Sequence, residues 1–386
     1  MNFKTTITLL YEAGQDFSIT DILVLQQNLF IMEKKISGVA LCLIMAFFSC
    51  TQSGKKESTE VVANSTPTVD STLTVARNFF KQLPDVAVNI DNAVTQPKVQ
   101  LGKVLFYDTR LSRTGNNSCN SCHNLQAFGV DNKATSTGDA GKQGSRNSPT
   151  VFNAALQNMQ FWDGRATDVE EQAGMPILNP VEMAIPHKDF LVDRLNKIQL
   201  YQDMFKVAFP GESKPLTYEN LQKAIGAFER TLLTPSRFDK YMRGDVNAIT
   251  PEEKAGLKVF IASGCVSCHN GVGIGGGSLQ RFGLVTDYRT LTNSKVNDEG
   301  RKTVTKNKTD KDVFKVPELR NVAGTYPYFH DGSIANLDSA VKIMGKAQLN
   351  KEFSNEEIKQ IVAFLNSLSG DVSPDAKTIP PELVKK

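Results

Sequence analysis

From about residue 80 onward, apolar residues recur at helical spacing and rarely alternate as they would in strands. Leu221, Ile225, Phe228 and Leu232 fall on one face of a helix. Thr250 precedes Pro251, and Glu253 follows three residues on. That is an N-cap, a first-turn proline and a capping-box acid, opening a helix through Lys254 to Ile261. Ser354 and Glu357 repeat the box, and Ile358, Ile361, Val362, Leu365 and Leu368 form a stripe that Gly370 ends. Val99 to Tyr107 is a further amphipathic run. Residues 130–150 and 270–312 carry no such period and read as long loops. The pattern predicts a mainly α protein.

The N-terminal region reads differently. Met32-Glu33-Lys34-Lys35 precedes Ile36 to Ser49, an almost uninterrupted apolar stretch that ends at Cys50. This is the basic-then-apolar order of a secretory signal, shorter than the ~20 residues that span a bilayer. Phe47-Phe48-Ser49-Cys50 resembles a bacterial lipoprotein processing site, with Cys50 as the lipid anchor. Residues 1–31 have no place in that scheme, so translation is expected to begin at Met32. Residues 51–79, rich in Ser, Thr, Lys and Glu, read as a flexible tether. The expected organisation is therefore an upstream segment (1–31), a signal (32–50), a tether (51–79), two domains (80–245 and 246–372) and a tail (373–386).

Cysteine usage supplies the chemistry. Of 6 cysteines, Cys42 and Cys50 lie in the export segment. The others form Cys119-Asn120-Ser121-Cys122-His123 and Cys265-Val266-Ser267-Cys268-His269. Cys-x-x-Cys-His is the attachment motif of c-type haem: two thioether bonds to the porphyrin and an adjacent histidine on iron. Structural zinc would need a fourth ligand and motifs close together, which the chain does not offer. A thioredoxin-like pair would leave the histidine unexplained. Each motif follows one of the amphipathic helices above, so the chain is an internal repeat of two cytochrome c-like helical domains, each with one covalent c-type haem. Hydrophobic content of 40% fits a globular chain, and a net charge of +3 is too small to argue for nucleic acid. The lysine-rich run Lys302 to Lys315 reads as a solvated loop.

The chain has 4 histidines. With His123 and His269 on the irons, His187 and His330 remain, and the second axial ligand of each iron decides its function. A thioether closes the site for electron transfer, whereas an open face binds a small molecule. Met344, read alone, is an ordinary core methionine.

Phe161-Trp162-Asp163-Gly164-Arg165-Ala166, Asn179-Pro180-Val181-Glu182-Met183, Pro327-Tyr328-Phe329-His330-Asp331-Gly332 and Ala340-Val341-Lys342-Ile343-Met344 resemble, in order and spacing, the signature segments of the bacterial dihaem cytochrome c peroxidase family. That family is close to the methylamine-utilisation dihaem enzymes. The resemblance runs from about residue 80 to 370. It implies two cytochrome c-like domains, often in a homodimer, that reduce hydrogen peroxide to water. Electrons come from a small periplasmic redox protein, a cytochrome c or a cupredoxin. They arrive at the C-terminal haem, ligated by His269 and Met344, and pass to the N-terminal haem at His123. The resemblance implies further roles by position. Glu182 is the acid–base group of peroxide cleavage, Gln172 hydrogen-bonds peroxide or orients Glu182, and Trp162 relays electrons or packs between the haems. Asn147, Thr325 and Pro327 hold a calcium ion. His330 makes a structural hydrogen bond, and His187 starts a helix at the surface.

One loop departs from the family. Many members block the peroxidatic iron with a histidine from a mobile loop; aligned through Arg146-Asn147-Ser148-Pro149-Thr150, that position holds Asp139. An open iron that needs no reductive activation is expected, unless His187 substitutes. Two other readings remain. A methylamine-utilisation type enzyme oxidising a protein substrate would carry tyrosine in place of Met344. A dihaem electron-transfer lipoprotein would leave Glu182 and Gln172 without purpose.

Overall fold

In the computed structural model, residues 70–384 are described. The expected start at Met32, the signal segment, Cys50 and most of the tether fall outside that range. Among the described residues the fold is helical, with one two-stranded antiparallel sheet, Leu279–Arg281 against Val313–Lys315. No helix among them is long and apolar enough to cross a membrane.

Two hydrophobic cores repeat one packing device. In the first, helix Gln96–Tyr107 lies across Tyr218–Glu229. A Cβ on Gly102 would stand 1.9 Å from Ala224 O, so only glycine permits that approach. In the second, Pro251–Ala262 lies across Asn355–Ser367, and a Cβ on Gly256 would stand 1.8 Å from Gln360 O. Four residues after each glycine a phenylalanine meets another across the crossing. Phe106 and Phe228 are 5.4 Å apart, Phe260 and Phe364 5.3 Å, both tilted toward edge contact. Gly-x-x-x-Phe is thus a second internal repeat, legible in the chain once its purpose is known. Both capping boxes form as read, at Thr250/Glu253 and Ser354/Glu357. Gly370 is placed less by the helix end than by close approach, since its Cβ would meet Thr234 O and Pro235 O at 2.5 Å.

The chain ends differ from their reading as tether and tail. Ser71–Phe79 is a helix capped by Asp70, whose Oδ1 accepts from Thr72 N and Leu73 N. Its Leu73 and Ala76, with Phe80, enter the second core beside Phe238 and Leu257. Asp70 is paired to Lys254 at 2.8 Å. At the other end Val372 and Ala376 join the first core, and Tyr107 Oη donates to Ala376 O at 2.9 Å. Each terminus therefore completes the core of the opposite half, a long-range choice that no local pattern encodes. The region 270–312 likewise contains the first strand and the short helices Tyr288–Thr292 and Lys302–Thr305.

Each core also holds a buried, bidentate ion pair. Arg230 grips Glu170 at 2.7 Å, and Arg320 grips Asp239 at 2.9 Å, with Asp239 also capping Ser236.

Candidate haem sites

The second Cys-x-x-Cys-His motif sits immediately after core helix Pro251–Ala262, and the first follows helix Gln96–Tyr107 after the turn Thr109–Leu111. Ser118 caps the short helix Cys119–Cys122, and Gly264, at positive φ, turns the chain into Cys265–Ser267. All four cysteines are unpaired and half-buried. Burial raises the thiols of Cys119 and Cys122, and pushes Cys265 up to about 11. His123 and His269 each bury Nδ1 without a hydrogen-bond partner. Burial lowers both imidazoles, His269 to about 4, against backbone groups at Gly129 and Pro149 for His123 and at Ile274 and Pro317 for His269. A neutral imidazole is what a metal requires.

A cavity of about 470 Å³ opens beside the second motif. Its walls include Cys265, Cys268, His269, Phe260, Leu365 and, from helix Leu337–Leu349, Met344. The structure thus brings Met344 and His269 to one space. The same cavity runs to Trp162, Asn147 and Pro149, and so to the segment behind His123. Trp162 Nε1 donates to Asn147 O at 2.9 Å, and Asn147 N to His330 O at 2.7 Å. His330 is buried and stacked on Phe314 at 4.2 Å, with Tyr288 Oη 3.5 Å from its Nε2. Asn147, Thr325 and Pro327 all line this end of the cavity.

The first motif has different neighbours. Helix Val169–Leu178 carries Gln172 half-buried, and the turn after it carries Glu182. Asn179 Nδ2 donates to Glu182 Oε1 at 2.8 Å. Burial raises the Glu182 carboxyl, opposed by Arg165 and Asn179, and its charge is felt at Cys122. The departing loop packs on that turn. Asp139 N donates to Glu182 O at 2.7 Å, and a Cβ on Gly138 would lie 1.8 Å from Val181 O. The Asp139 carboxylate is buried. It accepts from Ser112 Oγ and from Thr114 N and Oγ1, each at 2.8 Å, and from Asn116 N at 3.1 Å. Burial alone would raise this acid, but those bonds outweigh it and hold it below the usual carboxylate range.

His187 is exposed and caps helix Lys188–Asn196, its Nδ1 accepting from Phe190 N at 3.2 Å. Lys315, at the end of the run read as solvated, is 4% exposed. It ends the second strand and lines the cavity with Gln157 and Glu318. A three-residue strand in a long loop leaves too short a pattern to signal burial.

Two half-buried Cys-x-x-Cys-His motifs on a duplicated helical scaffold define a double-lobed c-type cytochrome. A family model described as di-haem cytochrome c peroxidase matches residues 96–247, and one for cytochrome c matches residues 253–369. The cytochrome c551 peroxidase of Nitrosomonas europaea is 47% identical over 295 residues, 76% of this chain and 85% of that protein. That of Pseudomonas aeruginosa is 47% identical over 300 residues with the same coverage. Among solved structures, a MauG-like protein associated with microbial copper homeostasis is 27% identical with a TM-score of 0.70, covering 78% of this chain and 97% of that one. The chain belongs to the di-haem cytochrome c peroxidase family, and its resident cofactors are two c-type haems.

Proposed function

We propose that the protein is a periplasmic cytochrome c peroxidase whose two lobes divide the work. It takes electrons from a small redox protein, a cytochrome c or cupredoxin, at the second lobe and spends them on hydrogen peroxide in the first. The relatives named as cytochrome c peroxidases support the activity. The division between lobes rests on the contrast in side chains.

In the second lobe His269 and Met344, which line one cavity, would hold the haem iron through an imidazole and a thioether, the pairing that favours electron transfer. In the first lobe His123 would hold the haem, which when bound would supply the iron chemistry for peroxide. Glu182 would accept a proton from one peroxide oxygen and return it to the other, which leaves as water when the O–O bond takes up the donor's electrons. Its raised pKa suits a group that must do both near neutral pH. Gln172 precedes it on the adjoining helix as the neutral hydrogen-bond partner. Trp162, donating to Asn147 O between the lobes, is the packing or relay residue on the electron path.

Asp139 cannot serve as a loop ligand while its carboxylate holds Ser112, Thr114 and Asn116, and His187 is committed to a helix cap. The fully ferric enzyme is therefore expected to bind peroxide without prior reduction. An all-low-spin ferric EPR spectrum is the contrary result. Asn147, with Nδ2 committed to Lys133 O, offers Oδ1 to calcium beside the carbonyls of Thr325 and Pro327. Among the described residues no cluster of three His, Cys, Asp or Glu competes for the ion. The lipid anchor at Cys50 and a homodimer belong to the same reading.

The observation that carries the proposal is Glu182, partly buried with a raised pKa beside the first haem motif. Turnover of peroxide with reduced cytochrome c, wild type against Glu182→Gln, tests it. Unaltered turnover removes Glu182 from the mechanism.

A further inference from the structure

Among the described residues lining the cavity of the second lobe, Lys315 is the one cation and Glu318 the one carboxylate. They do not meet directly. Lys315 Nζ donates to Gln157 Oε1, and Gln157 Nε2 donates to Glu318 Oε1 at 2.9 Å. Glu318 Oε2 is buried with no partner at all. Lys315 is 4% exposed and Glu318 8%.

An ammonium has three donors, and burying it in the wall of a cavity that Phe260, Val341 and Leu365 also line is costly unless it meets an anion. Here a neutral amide stands where a counter-ion would be expected. The placement is rigid: Lys315 N donates to Trp162 O at 2.7 Å, and Leu279 is its partner across the two-stranded sheet. The arrangement therefore leaves donors of Lys315 unused at the wall of a mostly apolar cavity, with one carboxyl oxygen of Glu318 buried behind it. A c-type haem seated there by Cys265, Cys268 and His269 brings two carboxylate arms on one edge, and that edge needs a cation.

We infer that Lys315 binds a carboxylate arm of the second haem, with Gln157 fixing the ammonium and Glu318 held on the far side of that amide. Burial favours a protonated Glu318, which removes the repulsion that two carboxylates would suffer. Burial also biases Lys315 toward neutrality, a bias that a neighbouring anion opposes. Lys315 so placed also links the haem edge to Trp162 through one residue's own backbone. The inference needs only the second haem, whatever the first lobe does with peroxide.

The test uses the intact dihaem protein. The midpoint potential of the second haem and the propionate bending mode in its resonance Raman spectrum are measured in wild type, Lys315→Met, Lys315→Gln and Lys315→Arg. Loss of the cation should move the reduction equilibrium of that haem at least tenfold toward the ferric form, 59 mV for one electron. It should also shift the propionate mode, while arginine stays within about twofold of wild type because it keeps the charge. Loss of the second haem from Lys315→Met, with both haems retained in Lys315→Arg, supports the inference as well. A wild-type potential in Lys315→Met or Lys315→Gln, or a propionate mode unmoved by either, overturns it. Because the readouts concern the second haem at equilibrium, a failed peroxide assay in Glu182→Gln would not bear on the result.

Discussion

In the first lobe, Gly102 lets one helix touch Ala224, and in the second, Gly256 does the same against Gln360. Phe106 and Phe260 then close equivalent aromatic contacts. Around those matched frames the contents diverge. Beside Cys265, Cys268 and His269 lies a cavity that includes Met344. The first motif instead has Glu182 near it, on a turn braced by a buried aspartate. The lesson is that duplication fixed the scaffold and the haem attachment, while the segments packed beside each motif set which side chains stand near it.

The sharpest way to break that contrast is Glu182→Gln, expected to lower kcat by about 10²–10⁴-fold while leaving the midpoint potential of the second haem in place. Stopped-flow turnover and a redox titration read the two effects separately. Should the potential move as much as the rate, the lobes are not dividing labour.

Next in size are the two buried pairs. Arg320→Leu leaves Asp239, 1% exposed, without its partner and should cost about 3–5 kcal/mol in chemical denaturation. Arg230→Leu should cost less, because Glu170 is 8% exposed against 1% for Asp239, so its stranded carboxylate reaches water more easily. An equal loss in both would show that the second core is no more dependent on its pair than the first.

Gly102→Ala and Gly256→Ala each push a methyl into backbone and should destabilise by about 1–3 kcal/mol. If the crossings are equivalent, the two losses match within error. A neutral substitution at either glycine would remove that crossing from the shared frame.

Asp139→Asn gives the smallest effect, about 1 kcal/mol, because Oδ1 keeps three of its donors while the new amide faces Thr114 N–H. The pH dependence follows from sign. The folded-state pKa of Asp139 lies below its ordinary 3.8. Its contribution is therefore complete above the unfolded value and is lost as pH falls through the lower folded one. Thermal melts from pH 6 to pH 3 should show a shallower acid decline in Asp139→Asn than in wild type. Parallel curves would sink that assignment.

Much of this was legible in the chain, for identifiable reasons. The motifs Cys119 to His123 and Cys265 to His269 are local chemistry, written in five residues each. The capping boxes at Thr250 and Ser354 are satisfied within one turn of helix, so local sequence suffices for them. His187 as a surface helix start is likewise a one-turn matter.

Asp139 reads differently in the two descriptions. Sequence comparison marks the absence of a histidine, but the four hydrogen bonds that occupy its carboxylate come from residues 112–116 and require the loop to fold back. Lys315 is the clearest failure of local reading: it closes a lysine-rich run, yet pairing of Val313–Lys315 with Leu279–Arg281 carries it into the cavity. The same holds for Ser71–Phe79 and Ala376, which cross to the far cores. What the sequence by itself determined, then, was the repeat, the helices and both haem attachments, since each depends on neighbours within a few residues. Tertiary structure alone decided which side chains face each haem site, because burial and hydrogen bonding between distant segments exist only once the chain has folded.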